Sequence, residues 1–407
     1  MPDWVRFSAG QHVLDLFAHL TGQQLHPWAV MPLMLLMIIG FIAVSALVLI
    51  WAERKVAARI QNRVGPMMTG PRFLAEQSMW LGGLLQTAAD AIKLLVKELI
   101  IPSKADPIPF AAAPVLIVTV CITAFIVIPF GPAFSVSDFN IGVVHIVSIS
   151  SLTVLSIVMA GWASNSKYSL LGGLRSAAQM LSYEIPLIFA LLGPILLAGS
   201  LSMQEIVRAQ RDYGLWFAVP SFLGFIIYYV ASIAEVNRPP FDIPEAESEL
   251  VAGYVSEYSG MMFAMFFLAE FANMFLVCSV ASTVFLGGWL VPFLPIPAHP
   301  EPWYIALGGL VFMLKTSFLV FIMMWIRWTF PRVRPDHLMN LGWKYLFPMA
   351  LVNLVLCAFV AVLKDQHQLN GWALTGVSVV GLLAVMGVLQ VIRPPAPSTF
   401  LQKGPAA

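Results

Sequence analysis

Charge is something this sequence has little of. Lys, Arg, Asp and Glu make up 11% of the 407 residues and nearly cancel, leaving a formal net charge of +1. That excludes the broad positive field of a nucleic-acid binder. Cysteine is scarcer still. Cys121, Cys278 and Cys357 lie far apart, each inside an apolar run, so neither a disulfide framework nor the ligand spacing of a zinc or iron–sulfur site is available. No redox centre of the chain's own is visible. Residues 1–28 carry Asp3, Asp15 and three histidines and have no uninterrupted apolar core, so they do not read as a cleaved signal peptide. At most they form an amphipathic lead-in helix. No self-similar period marks a repeat architecture or the inverted symmetry common in secondary transporters.

What fills the chain instead is apolar. Hydrophobic residues make up 59% of it and the mean hydropathy is +0.84, far above the composition of soluble domains. The expected fold is an all-α integral membrane protein, one bundle of about nine transmembrane helices. Runs long enough to span a bilayer fall at 29–52, 109–130, 143–164, 174–199, 216–236, 258–290, 303–328, 345–363 and 372–392. The alternate segments 53–104, 165–175, 237–257, 327–344 and 393–407 hold 17 Lys and Arg residues, and the opposite side holds 4. The positive-inside rule then puts the N-terminus outside the cytoplasm and the C-terminus within it.

The stretch Ala234–Gly260 concentrates the acids. Glu235, Asp242, Glu245, Glu247, Glu249 and Glu257 are six of the chain's 21 acidic residues, set between two apolar runs. Acids against a bilayer cost several kcal/mol unless paired, neutralised or wetted, so such a cluster marks function by default. Arg238-Pro239-Pro240 argues against a floppy surface loop, because the prolines fix φ and bar a helix, forcing a defined turn. The spacing of Glu245, Glu247 and Glu249 crowds carboxylates together in strand or helix alike, which suits proton handling or the lining of a ligand site.

Other polar stripes sit on apolar helices. Lys55, Arg59 and Arg63 recur every four residues after Glu53 and Arg54, and Gly65-Pro66 is expected to break their helix. The alternative for this stripe is a topology anchor or lipid headgroup contact. Over 77–99, Gln86, Asp90, Lys93 and Lys97 form one polar line on a helix expected to lie on the cytoplasmic surface between the first two spans. The same line could wall a polar cavity. The fourth span carries Arg175, Gln179, Tyr183 and Glu184, with Pro186 freeing a carbonyl just beyond. In the sixth, Glu270 follows Glu257 by 13 residues, about 20 Å deeper in a continuous helix. A lone membrane lysine, Lys315, is expected to seek an acid partner such as Glu270, or a wet cavity. Arg327, Arg332 and Arg334 read equally as anchors or as contacts for acids.

The stretches ERKVAARIQNRVGP, LLQTAADAIKLLVKE, LRSAAQMLSYE, AEVNRPPFDIPEAESELVAGYVSEYSG, FFLAEFANM and WIRWTFPRVRPDHLMNLGWK closely resemble one family. It is the quinone-channel membrane subunit of respiratory complex I, the H-type subunit of bacteria. The resemblance covers about residues 28–365. It implies a subunit of H⁺-translocating NADH:quinone oxidoreductase in the bacterial cytoplasmic (inner) membrane, with quinone as substrate and no covalently bound cofactor or metal. FMN and iron–sulfur clusters would belong to partner subunits. The partners implied are the peripheral-arm subunits that carry the terminal cluster and quinone-site loops, and the neighbouring small and antiporter-like membrane subunits, besides lipid. Matching positions put Glu53, Arg54, Arg59, Arg63, Asp90, Lys93, Arg175 and Asp242 at the quinone channel and arm interface. Glu184, Glu235, Glu245, Glu247, Glu249, Glu257 and Glu270 would form the acidic path towards the membrane arm. Residues 1–28 read as an extension, 29–365 as the family domain of eight spans, and 366–407 as an added C-terminal helix and tail. The membrane subunit of a related ion-pumping hydrogenase is the nearest rival; relatives on that side depart from the Glu53-to-Pro66 pattern. A stand-alone secondary transporter is the rival of another class.

Overall fold

The computed structural model describes residues 27–67, 83–132, 135–243, 252–291, 302–367 and 376. Glu245, Glu247 and Glu249 lie outside the described residues, as do residues 1–26 and all but residue 376 of the ninth apolar run. Among the described residues the chain is helical throughout, with no strand. The elements are α1 (Pro27–Ile60), α2 (Leu85–Val96), α3 (Pro107–Phe125), α4 (Gly142–Ala163), α5 (Lys167–Ala198), α6 (Met203–Tyr213) and α7 (Phe222–Glu235). They continue, after a 3-10 turn at Gly253–Val255, with α8 (Gly260–Phe285), α9 (Pro302–Thr329), α10 (Pro335–Asn340) and α11 (Phe347–His367). Among the described residues, seven helices are long and apolar enough to cross a membrane. It is an all-α, multi-pass membrane protein.

Helix α8 runs through the core, and most of its residues from Phe271 to Phe285 are buried. A helix apolar all round belongs in a core or a bilayer. Around it, α1 turns inward the stripe Met34, Ile38, Ile42, Ala46, one residue every four, and leaves Leu36, Met37 and Val44 exposed, as expected of a helix facing lipid on its other side. Helix α5 approaches α4 and the 3-10 turn through small residues. A Cβ at Gly161 would meet the carbonyl oxygen of Ser169 at 2.8 Å, and one at Gly172 would meet Gly253 Cα at 2.7 Å. Close backbone approach through small side chains is a usual way for membrane helices to gain contact where water supplies no driving force between them. Gly172→Ala is therefore expected to cost about 1–3 kcal/mol through overpacking, read as a lower midpoint of thermal unfolding in detergent. Gly40→Ala, with nothing within 4 Å, is the matched control and should leave that midpoint unchanged.

Three elements differ from expectation. The helix carrying the basic stripe ends at Ile60, with Asn62 at φ 53°, so a left-handed asparagine stops it before Gly65-Pro66 can. The 216–236 run is helical only from Phe222, giving α7 14 residues and a length of about 21 Å, short of the roughly 30 Å hydrocarbon core. The last span starts earlier than its apolar run. Helix α10 passes through a π-helical segment, Leu341–Leu346, into α11. Pro348 lies in the first turn of α11, where it cannot donate back to residue 344, and the wider turn accommodates that. By contrast α5 runs unbroken through Pro186 and Pro194.

Candidate functional site

The turn after α7 is held from several sides. Asn237, at φ 53°, donates from Nδ2 to Ser176 Oγ at 2.9 Å. Gln179 Nε2 donates to the carbonyls of Ala234 (2.8 Å) and Phe241 (2.6 Å), and Val333 N donates to the Pro240 carbonyl at 3.0 Å. These bonds fix a short non-helical segment against α5 and the start of α10. The defined turn expected from Arg238-Pro239-Pro240 is present, and it aims Arg238 into the bundle.

Arg238 is 2% exposed and lies between two acids from distant parts of the chain. Its Nη1 donates to Glu53 Oε2 at 3.1 Å. Its Nε is 2.8 Å from Glu270 Oε1, and the guanidinium lies 4.3 Å from the centre of the Phe271 ring. Glu53, near the end of α1 and 7% exposed, is also 2.6 Å from Arg327 Nη1 on α9. Charges thus alternate along Arg327, Glu53, Arg238 and Glu270. A second pair, Arg332 with buried Asp242 at 3.4 Å, flanks the chain of charges at the same turn. Buried ions persist only where each finds partners, because desolvation costs several kcal/mol per ion. The predicted channel residues Glu53 and Asp242 and the predicted path acid Glu270 are therefore brought to one turn. The arginines that bring them there are Arg238, Arg327 and Arg332.

The rest of the channel set lies along the ends of α1 and α2. Arg54 Nη1 is 2.7 Å from Asp90 Oδ2, and Gln86 Nε2 donates to Asp90 Oδ1 at 3.1 Å. Asp90 therefore ties the amphipathic helix to α1. Lys93, Arg59 and Arg63 are exposed, and Arg63 Nε donates to Gln61 Oε1 at 2.8 Å. Arg175 is half-buried on α5.

Two further acids of the predicted path meet deeper in the bundle. Glu184 on α5 accepts a short hydrogen bond from Ser151 Oγ on α4, and Glu235 at the end of α7 is within electrostatic reach of Glu184. Glu235 lines a cavity of about 40 Å³ together with Ser150, Thr153 and Asn273, more than the roughly 10–15 Å³ that one water needs. Sequence reasoning does not single out Asn273, Ser150, Ser151 or Thr153. Asn273 sits three residues after Glu270 on the same helix, a spacing that puts both near one face, and that is the one signal available for it.

Depth and partnership differ from expectation for two residues. Ser259 is extended and Gly260 has φ 55°, so α8 cannot run back to Glu257, which occupies the preceding turn. Glu270 is then only ten residues into the helix, about 15 Å. Lys315 does not pair with Glu270. Its Nζ donates to the carbonyls of Leu286, Gly288 and Leu290 at 2.8, 2.9 and 2.9 Å and lies 5.1 Å from the centre of the Trp216 ring. The carbonyls beyond the C-terminus of α8 have no intrahelical donor, and they take the ammonium.

Residues 33–358 match the protein family described as NADH dehydrogenase. The chain is 46% identical over 339 residues to the H-type subunit of the NADH-quinone oxidoreductase of Rhodospirillum centenum, covering 83% of this chain and 96% of that one. Against the H-type subunit of Dehalococcoides mccartyi it is 45% identical over 352 residues, with 86% and 92% covered. Against the NADH-quinone oxidoreductase subunit 8 of Rhodothermus marinus it is 47% identical over 331 residues, with 79% and 94% covered.

Proposed function

Because the chain belongs to the NADH dehydrogenase family, as an NADH-quinone oxidoreductase membrane subunit of the H type, we propose that it forms part of the quinone channel and of the acidic path coupling quinone reduction to proton translocation. The observation that carries this reading is the buried run Arg327, Glu53, Arg238, Glu270. It joins the end of α1, where the basic stripe begins, to the acid-bearing helix α8. A charged cluster of this kind inside a membrane bundle belongs to a pathway by default.

In this reading the exposed Arg59 and Arg63, with Arg54 and Asp90 behind them, order the channel entrance and the contact with the peripheral arm. Lys93 and Arg175 belong to the same surface. Glu184, Glu235 and Glu270, with Glu245, Glu247, Glu249 and Glu257, lead towards the neighbouring antiporter-like subunits. Electrons would reach quinone from an iron–sulfur cluster in a partner subunit, FMN lying further up the same arm. The basic asymmetry of the connections supports an arm side in the cytoplasm of a bacterium with the N-terminus outside it, and residues 366–407 would add a ninth span that returns the C-terminus to the cytoplasm.

Arg63→Ala tests the reading. In membranes containing the assembled complex it should lower NADH:quinone turnover several-fold while NADH oxidation by an artificial acceptor, which bypasses the channel, is retained. Unchanged quinone turnover would return the stripe to a lipid anchor.

A further inference from the structure

Arg238 shares one guanidinium between two carboxylates that come from opposite ends of the sequence. Nη1 faces both oxygens of Glu53, at 3.1 and 3.4 Å, while Nε faces Glu270 at 2.8 Å. The plane is packed on Phe271, the neighbour of Glu270 in α8. The fork geometry matters. Arginine presents several donors in a fixed plane, and lysine, a single point charge, cannot hold two carboxylates on different edges in the same way. The far side of Glu53 is taken up by Arg327, so the position of Glu53 depends on the balance between two cations.

We propose that Arg238 is a positioning residue that joins Glu53 and Glu270 into one charge unit, so that neutralising either acid re-seats the other. When Glu270 loses its charge, Arg238 has Glu53 as its remaining carboxylate within this unit and draws towards it. At such separations, inside a bundle screened from water, the pull is far stronger than on a protein surface. Glu53 adjoins Arg54, which is bound to Asp90, so its displacement is felt where the channel residues of α1 and α2 meet. A change at Glu270 would thus alter how quinone binds, although Glu270 lies on another helix. The proposal rests on the reading of this chain as a quinone-channel subunit.

The test is a double-mutant cycle on the complete complex in membrane vesicles, with kcat and KM for a short-tailed soluble quinone normalised to assembled complex. Glu53→Gln, Glu270→Gln and their combination are compared, first with Arg238 and then with Arg238→Lys. With Arg238 present, Glu270→Gln should shift KM as well as kcat. The double variant should fall short of the product of the single effects by about threefold or more, as expected of groups sharing a partner. With Arg238→Lys that shortfall should vanish. If Glu53→Gln does not assemble, Glu53→Asp keeps the charge, shortens the reach and closes the same cycle. Effects that multiply independently with Arg238 in place, or a shortfall that survives Arg238→Lys, overturn the proposal. A purely structural arginine would reduce the amount of assembled complex and leave KM where it was. Silence in every single variant, Arg63→Ala included, would instead overturn the quinone-channel reading on which the proposal stands.

Discussion

Arg238→Ala should leave little of this subunit folded in the membrane. The substitution strips Glu53 and Glu270 of a shared cation while both remain buried or nearly so. Breaking a buried pair by removing one partner costs about 3–5 kcal/mol, because an uncompensated charge is left behind. Glu270 is orphaned, Glu53 is left with Arg327 alone, and the ring of Phe271 loses the cation above it. Marginal stability of about 5–15 kcal/mol is typical of a folded domain, so a loss of this size shows directly in abundance. Immunoblots of native gels would measure it as assembled complex per unit of membrane. Replacing Glu270 by glutamine in the Arg238→Ala background should recover a large part of that complex, since Glu53 keeps Arg327 and no carboxylate then lacks its cation. Wild-type levels in the single variant would mean that water reaches the cluster freely.

Glu270→Gln should have the largest effect on turnover with the least effect on folding. Glutamine has the same shape and can keep its side-chain oxygen beside Arg238 Nε, so the cluster keeps its packing. What is lost is titration. An acid that passes protons must be stable both as the anion and as the neutral acid, and in the proposed unit the two-sided arginine would supply both arrangements. We expect NADH:quinone turnover and pH-gradient formation in vesicles to fall together by at least about tenfold, the lower end of what a positioned proton-transfer group contributes. Tight coupling makes the redox step stall when the proton step fails. Wild-type values of both rates, per assembled complex, would reduce Glu270 to a packing role.

The difference between these two variants also shows what the sequence makes legible. Spans are readable because a bilayer demands long apolar runs, and seven of the described helices meet that demand. The acids are readable because a membrane makes each one costly. Their partners are not. Arg238 is visible as a turn residue before two prolines, but its contact with Glu53 spans 185 positions, and no periodicity records a contact of that range. Arg327 and Arg332 stand evenly between anchor and acid contact, and only the packing of α9 and α10 against the turn decides for the acids. Lys315 departs from expectation for a different reason. The expectation offers a carboxylate or a wet cavity and leaves out backbone carbonyls, which a helix end leaves without donors. The depth of Glu270 is overestimated because Gly260 at positive φ stops α8, and a glycine in an apolar run reads the same whether it continues a helix or begins one.

The seat of Lys315 bears on how the chain enters the membrane during synthesis. A lysine at mid-helix raises the cost of insertion by roughly 3 kcal/mol on the scale read by the insertion machinery. The oxygens that receive it, those of Leu286, Gly288 and Leu290, leave the ribosome 25 to 29 residues earlier. By the time α9 emerges, the end of α8 is already waiting with acceptors that have no partner of their own. Each helix thus cancels a penalty the other would carry alone, the one an uncapped terminus and the other a bare ammonium. The two helices are expected to enter the bilayer more readily as a pair than either would alone.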